Sequence, residues 1–328
     1  MKAPDIYFED FWGELHAQCY GGNYHSYIYE DECGAVMNNF VRRPTGLLPD
    51  VYDILSPWRY SGPIVIDCKE GRRTDLIRGF ERDFEQYCKD SNIVAEFVRF
   101  SPWLKNHEDF RTVYELKRFS YAIGIDLTAD FFHEEFSTKR RGNVRKAQKS
   151  GVRAEIDFKC DTADEFYRLY RLMAGRNKLP EASIHSRKFI DDMISACGDR
   201  IFIINGMIGD VTASAGVFLV SDNYLHYHLC GNDPKFFGLD VNALITCKAC
   251  EWGKASGRRL LDIGSSSTES LYQYKRQFTK KGFYDFFTGS RIYSNDLYRE
   301  LVALKGKSNA EFFPAYRQPA AEEANNNV

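Results

Sequence analysis

Between Lys139 and Lys149, six of eleven residues are basic. A run of this kind can hold the phosphates of tRNA, of a nucleotide-linked acceptor or of coenzyme A. It can equally be a solvated helix face whose cations suit the helix C-terminus. Asn143 and Lys146 are three apart and share a face if the run is helical. Further on, Tyr224, His226 and His228 alternate with Leu225, Tyr227 and Leu229, the period of a strand. His226 or His228 is a candidate base for an incoming amine, or both are packing and hydrogen-bonding residues. Asp262 ends a short apolar run. It is either a base facing a ligand crevice or a cap for the loop that starts at Gly264.

Nine cysteines are scattered at irregular spacing, which argues against a disulfide framework. Cys247 and Cys250 form a lone CxxC inside a helical pattern. A zinc site would need two more ligands, so the pair reads as small buried helix residues, and no metal is expected. No Ser-His-Asp or Cys-His signature stands out. Acyl transfer to an amine does not require one, because a neutral amine attacks a held carbonyl directly.

These groups need a scaffold. Residues 24–30 and 35–41 read as a hairpin, 63–68 as a short buried strand, 74–89 as an amphipathic helix, and 95–100 and 121–127 as strands. The pattern then predicts one helix over 129–150 and a strand over 152–158. A helix capped by Asp161 follows, then a helix over 186–197 and strands over 200–205, 211–220 and 223–229. A helix over 240–256, a strand over 259–263, a helix over 268–278, a strand over 284–288 and a helix over 294–304 complete it. The alternation implies an α/β class.

The chain has 328 residues, 44% hydrophobic and 27% charged, which suits about two soluble domains. A net charge of −2 argues against a chain-wide nucleic-acid footprint, though not against a local basic patch. No stretch reaches the apolar length of a membrane span, and the acidic start has no apolar leader region. The expected location is the cytoplasm. Oligomeric state carries no signal.

Three segments carry a resemblance. Residues 139–152, KRRGNVRKAQKSGV, are similar to the R-x-N-[IV]-R-K-A-x-K-x-G-V helix of FemAB-like proteins. Residues 271–278, LYQYKRQF, resemble their L-[YF]-x-F-K-x-x-F segment. Residues 52–63, YDILSPWRYSGP, resemble their S-P-Y-G-Y-G-G-P stretch, departing at Trp58, Arg59 and Ser61. The resemblance covers nearly the whole chain and implies two tandem GNAT-like domains, of the acyl-CoA N-acyltransferase type, with mixed central sheets. On this reading residues 1–130 form the first domain and 131–290 the second. Residues 291–317 form a helix returning to the first, and 318–328 a disordered tail. No segment is long enough for the coiled-coil arm of some members.

Characterised members move an amino acid from aminoacyl-tRNA to an amine of a peptidoglycan precursor. The resemblance makes Lys275, beside Tyr274, the catalytic candidate: its ammonium would stabilise the oxyanion or hold the acyl carbonyl. Asn143, Arg145 and Lys146 match the family helix and become substrate-binding candidates. So does Arg176, at a helix end where similar proteins carry an arginine near the acceptor. Arg59 and Tyr60 would line a changed acceptor pocket. Each is also open to a plainer reading as surface or capping residue.

Acyl-CoA-using GNAT proteins hold the pyrophosphate on a Q/R-x-x-G-x-G/A loop at a helix N-terminus. The corresponding residues 235–242, KFFGLDVN, put Asp240 where a small residue is usual. A carboxylate there would cap the helix itself and repel a pyrophosphate. The leading expectation is therefore an amide-forming transferase with aminoacyl-tRNA as co-substrate and a small-molecule, peptide or cell-wall-precursor amine as acceptor. The alternatives are an acyl-CoA-dependent N-acyltransferase of an amino-sugar or amino acid, and a non-catalytic GNAT-like binding module.

Overall fold

The computed structural model of the chain describes residues 3–266, 268–306 and 312–318. They divide into two units. One comprises residues 7–120 with the described residues from 285 on; the other comprises 4–6 with 121–284.

The first unit opens with α1 (Asp10–Tyr20), which the sequence reading did not assign. Strands β1 (Asn23–Asp31) and β2 (Gly34–Pro44) form the expected hairpin, in register from Asn23↔Arg42 to Asp31↔Gly34. β3 (Tyr52–Leu55), also unassigned, is four residues long, too short to show a period. β4 (Ile64–Cys68) pairs with β2 but buries only Ile64, so it is not the buried strand its apolar run suggested. α2 (Arg73–Asp90) lays Leu76, Ile77, Phe80 and Phe84 into the core, and β5 (Ile93–Arg99) follows. The order is β1-β2-β3-β5 with β12 next, and β3 and β5 run parallel. An aromatic core of Phe40, Phe80, Phe84, Phe100 and Phe110 lies on one face.

β6 (Glu115–Asp126) leads into the second unit. The expected single helix over 129–150 is broken. A π-helical turn at Phe131–Glu135 starts on Asp130, and α3 (Thr138–Lys149) restarts on Ser137, whose Oγ accepts from the Arg140 N–H at 3.1 Å. Two cap-forming side chains inside one amphipathic run explain the break. β7 (Val152–Asp157) and α4 (Ala163–Arg176) follow. Asp161 is not the cap of α4: Thr162 holds that position, with its own N–H and Oγ1 donated to Asp157 at 2.8 and 2.7 Å. α5 (Arg187–Cys197) is capped by Ser186.

β8 (Ile201–Ile208), β9 (Val211–Val220) and β10 (Tyr224–Asn232) form an antiparallel set. α6 (Val241–Ala255) crosses to β11 (Leu260–Ser265), which pairs parallel to β10. The order in this unit is β6-β11-β10-β9-β8-β7. α7 (Glu269–Lys275) stops earlier than expected and passes into a 3-10 turn at Arg276–Phe278. β12 (Phe283–Ile292) returns the chain to the first unit, where α8 (Asn295–Lys305) sets Leu301 against Val94 and Ala95 of β5. Of the tail expected at 318–328, all but Gln318 lies outside the described residues.

Both units are therefore mixed α/β sheets, each with a parallel pair among the described strands. The sequence reading put the domain changes at 130/131 and after 290. The observed changes at 120/121 and 284/285 fall within β6 and β12, which run through both units without a linker.

Candidate active site

The parallel pairing of β10 with β11 stops at His226↔Asp262. Beyond it, β10 continues to Asn232 on β9, and β11 continues to Ser265 on β6. The two strands part at the carboxyl ends of a parallel pair, the usual ligand position in α/β sheets. A β-bulge between Tyr227 and Leu229 accompanies the parting. Tyr227 is opposite Phe218 and Leu229 opposite Val217, so the bulge turns these two residues to opposite faces. The strict alternation expected through residue 229 ends there.

His226 closes the paired end. It is fully buried, with Nδ1 3.0 Å from Asp262 Oδ2 and Nε2 3.0 Å from Asp5 Oδ1. Burial alone would push the imidazole down, but the two carboxylates outweigh it and raise it to about 9. The two carboxylates favour its charged form, and with both nitrogens engaged in a buried pairing it suits a structural ion pair better than a base for an amine. Asp262 Oδ1 also accepts the Gly264 N–H at 2.6 Å, which makes it both the loop cap and the partner of His226.

Lys275, at the C-terminal end of α7, is half-buried, and its Nζ donates to the Ser265 carbonyl at 2.6 Å. This fixes the ammonium at the end of β11, where the strands have parted. The neighbouring Tyr274 phenol is pushed up to about 12, mainly by burial, and is therefore a neutral donor near pH 7. Tyr274 interacts electrostatically with Cys230 of β10 and with Asp240.

Arg140 was not singled out from sequence, since it lies one residue outside the family motif. It is 1% exposed, and its guanidinium covers the Tyr274 ring at 4.4 Å and the Phe278 ring at 4.2 Å. Its Nη2 donates to the Tyr274 carbonyl at 3.2 Å and to Gln277 Oε1 at 3.4 Å. The Ser137 N–H also reaches the Gln277 carbonyl at 2.9 Å. The start of α3 thus grips the turn that carries Lys275.

Asn143 and Lys146 share a face of α3 and turn it to the loop before α6. Asn143 Nδ2 donates to Asp240 Oδ1 at 2.7 Å, and Lys146 Nζ donates to the Gly238 carbonyl at 2.7 Å and lies 3.8 Å from Asp240 Oδ2. Asp240 itself adopts the left-handed region, φ 54, and makes no side-chain cap on α6. Its carboxylate is spent on α3 rather than on the helix, contrary to expectation. Arg145 is exposed and lies 5.5 Å over the Phe132 ring.

Arg176, the last residue of α4, donates from Nη1 to Asn232 Oδ1 at 2.7 Å, at the end of β10, and stacks on Phe237 at 4.6 Å. Gly231 makes this possible. A Cβ there would lie 2.3 Å from the Tyr170 nitrogen, so only glycine lets α4 lie this close to β10. Lys275, Tyr274, Arg176, Asn143 and Lys146 all belong to the second unit and to elements bordering the parting strands or the Asp240 loop.

Arg59 and Tyr60 belong to the first unit. Arg59 takes φ 78 and lies 5.1 Å over the Trp58 ring. Tyr60 is a core ring, edge-on to Tyr7, Trp103 and Phe286 at 5.8, 6.1 and 5.4 Å. Cys247 and Cys250 are buried free thiols, Cys247 pushed up to about 12 by burial.

Residues 138–276 match the family model described as the acetyltransferase (GNAT) domain. The solved structure of FemX is similar over 90% of this chain and 95% of its own, with a TM-score of 0.69 at 10% identity. L-PGS from Bacillus licheniformis is similar over 92% and 98%, with a TM-score of 0.54 at 12% identity. A tandem GNAT protein from the clavulanic acid biosynthesis pathway is similar over 83% of each chain, with a TM-score of 0.50 at 8% identity. At these identities the likeness is one of fold. No curated protein matches. The matched residues, most of the second unit, are similar to a GNAT acetyltransferase domain. Over most of the chain the fold is similar to those of FemX and of the tandem GNAT protein.

Proposed function

We propose that the protein forms an amide by moving an aminoacyl group from aminoacyl-tRNA to an amine of a small-molecule, peptide or cell-wall-precursor acceptor. The observation that carries this reading is the placing of Lys275 on the Ser265 carbonyl, at the mouth of the parted strands. A neutral amine attacks the acyl carbonyl there, and the C–N bond forms as negative charge builds on the carbonyl oxygen. The Lys275 ammonium stabilises that oxyanion. Collapse breaks the ester bond, and the released ribose oxygen takes up a proton as the amine nitrogen loses one. The Tyr274 phenol is a second donor beside it.

The choice of donor rests on Asp240. Its carboxylate stands at the N-terminal end of α6, where a coenzyme A pyrophosphate would seek backbone N–H groups, and Asn143 and Lys146 hold it in place. The chemistry favours a donor whose acyl group does not hang from a pyrophosphate.

Purified protein is incubated with labelled total aminoacyl-tRNA, and separately with labelled acetyl-CoA, over a pool of amines. The expected result is transfer from one aminoacyl-tRNA, slowed about 10²–10³-fold in Lys275→Ala. Transfer from acetyl-CoA alone would overturn the donor. Transfer unchanged in a folded Lys275→Ala would overturn the role of the lysine, and none from any donor would leave a binding module.

A further inference from the structure

One face of the first unit's sheet carries cations that the fold does not neutralise. The register places Val41 opposite Leu55, Arg43 opposite Asp53, and Leu55 beside Phe97. Strand alternation therefore puts Arg43, Asp53, Leu55, Phe97 and Arg99 on the same face. Ala17 and Tyr20 of α1 pack there with Val41, Leu55 and Phe97. Asp53 is fully buried, and both its oxygens are taken: Oδ1 by Arg43 Nε at 2.6 Å and Oδ2 by Arg317 Nε at 2.7 Å.

Two guanidinium groups thus share one carboxylate. Arg99 takes no part in that pairing. Its guanidinium lies 4.9 Å over the Phe97 ring, and its Nη1 is shut away from water without an acceptor among the described residues. Burial lowers its pKa, and the charges it meets are the Tyr20 phenol and the Arg43 cation, with no acid among them. Tyr20 in turn meets both Arg99 and Arg43.

A half-buried cation without an anion costs stability that a purely structural residue of the same shape would not. Two planar forks and a phenol on one half-buried face have the geometry that recognises an oxyanion. We propose that Arg99, Arg43 and Tyr20 form an anion-binding site of the first unit, for the phosphate or carboxylate of a ligand. The bound oxyanion supplies the counter-charge that Arg99 lacks, and the phenol donates to a further oxygen. This site shares no residue with the one around Lys275, so it stands whether or not the proposed transfer does.

The full-length protein is melted in chloride, in inorganic phosphate and in acetate at fixed ionic strength, and phosphate affinity is measured by calorimetry. Wild type should gain several degrees in phosphate or in acetate, and which anion acts tells a phosphate from a carboxylate site. Arg99→Met should melt no lower than wild type in chloride, lose the anion response, and weaken binding at least tenfold. Tyr20→Phe should keep the fold and weaken the response, whereas Lys149→Ala in the second unit should leave it intact. A response unchanged in Arg99→Met, or none to either anion in a well-folded wild type, would overturn the site.

Discussion

His226 sits between two carboxylates, and the sign of its titration follows from them. Its folded value of about 9 lies above the roughly 6.5 of a free imidazole. The stabilisation it gives is fully present below pH 6.5 and is lost as pH rises through 9, by about 3 kcal/mol. Asp5→Asn keeps a hydrogen-bond partner but removes one charge. In urea unfolding from pH 6.5 to 9.5, the stability difference between wild type and this variant should shrink as pH rises; a constant difference would show that the charge pair is not what Asp5 contributes. None of this was legible from residues alone. His226 stands out by its strand period and Asp262 by its place at the end of a short apolar run, but Asp5 is 221 positions away from His226. Nothing local marks it as the second carboxylate. Lys275 was legible only through its motif, because a lysine followed by an arginine on a short helix is ordinarily a surface residue.

At the scale of elements, the long amphipathic helices and the hairpin could be read because a period persists over enough residues to be seen. α1 and β3 show no such period, and the stretch from 129 to 150 hid a break that depends on two short caps. The break matters for the chemistry. It frees the start of α3 to meet the turn after α7, and α7 has only seven residues, too few to hold a helix on its own. Arg140 is the principal side-chain grip, through two rings, one carbonyl and one amide. Arg140→Met keeps the bulk over Tyr274 and Phe278 but removes the fork. Loss of register at Lys275 should slow transfer about 10²-fold with little change in donor KM. Arg140→Lys should stay slow, because an ammonium lacks the planar face that covers the Tyr274 and Phe278 rings. Steady-state rates on proteins of matched melting temperature decide it, and a full rate in Arg140→Met would make the residue a packing element only.

The α/β class and the pairing of two similar units were readable from the alternation of elements and from three motifs spread along the chain. The exact division was not, because no linker composition marks it: β6 and β12 carry the chain from one unit to the other in mid-strand. The first unit is consequently incomplete in the first 120 residues. β12 supplies the neighbour of β5 from Thr288↔Arg99 to Ile292↔Ala95, and α8 covers Val94 and Ala95 with Leu301. Leu301 is fully buried, so Leu301→Ala should cost about 2–5 kcal/mol, the usual range for a core leucine. A chain ended at residue 284 removes far more: the antiparallel partner of β5, the helix on its face, and Arg317, one of the two guanidiniums on the buried Asp53. That shortened chain should retain the circular dichroism and melting transition of the second unit, whose sheet from β6 to β7 is intact. Limited proteolysis should cut it throughout residues 7–120. If those residues instead stay protected, the first unit does not depend on its returning segment, and the split of its sheet across the sequence has no bearing on its stability.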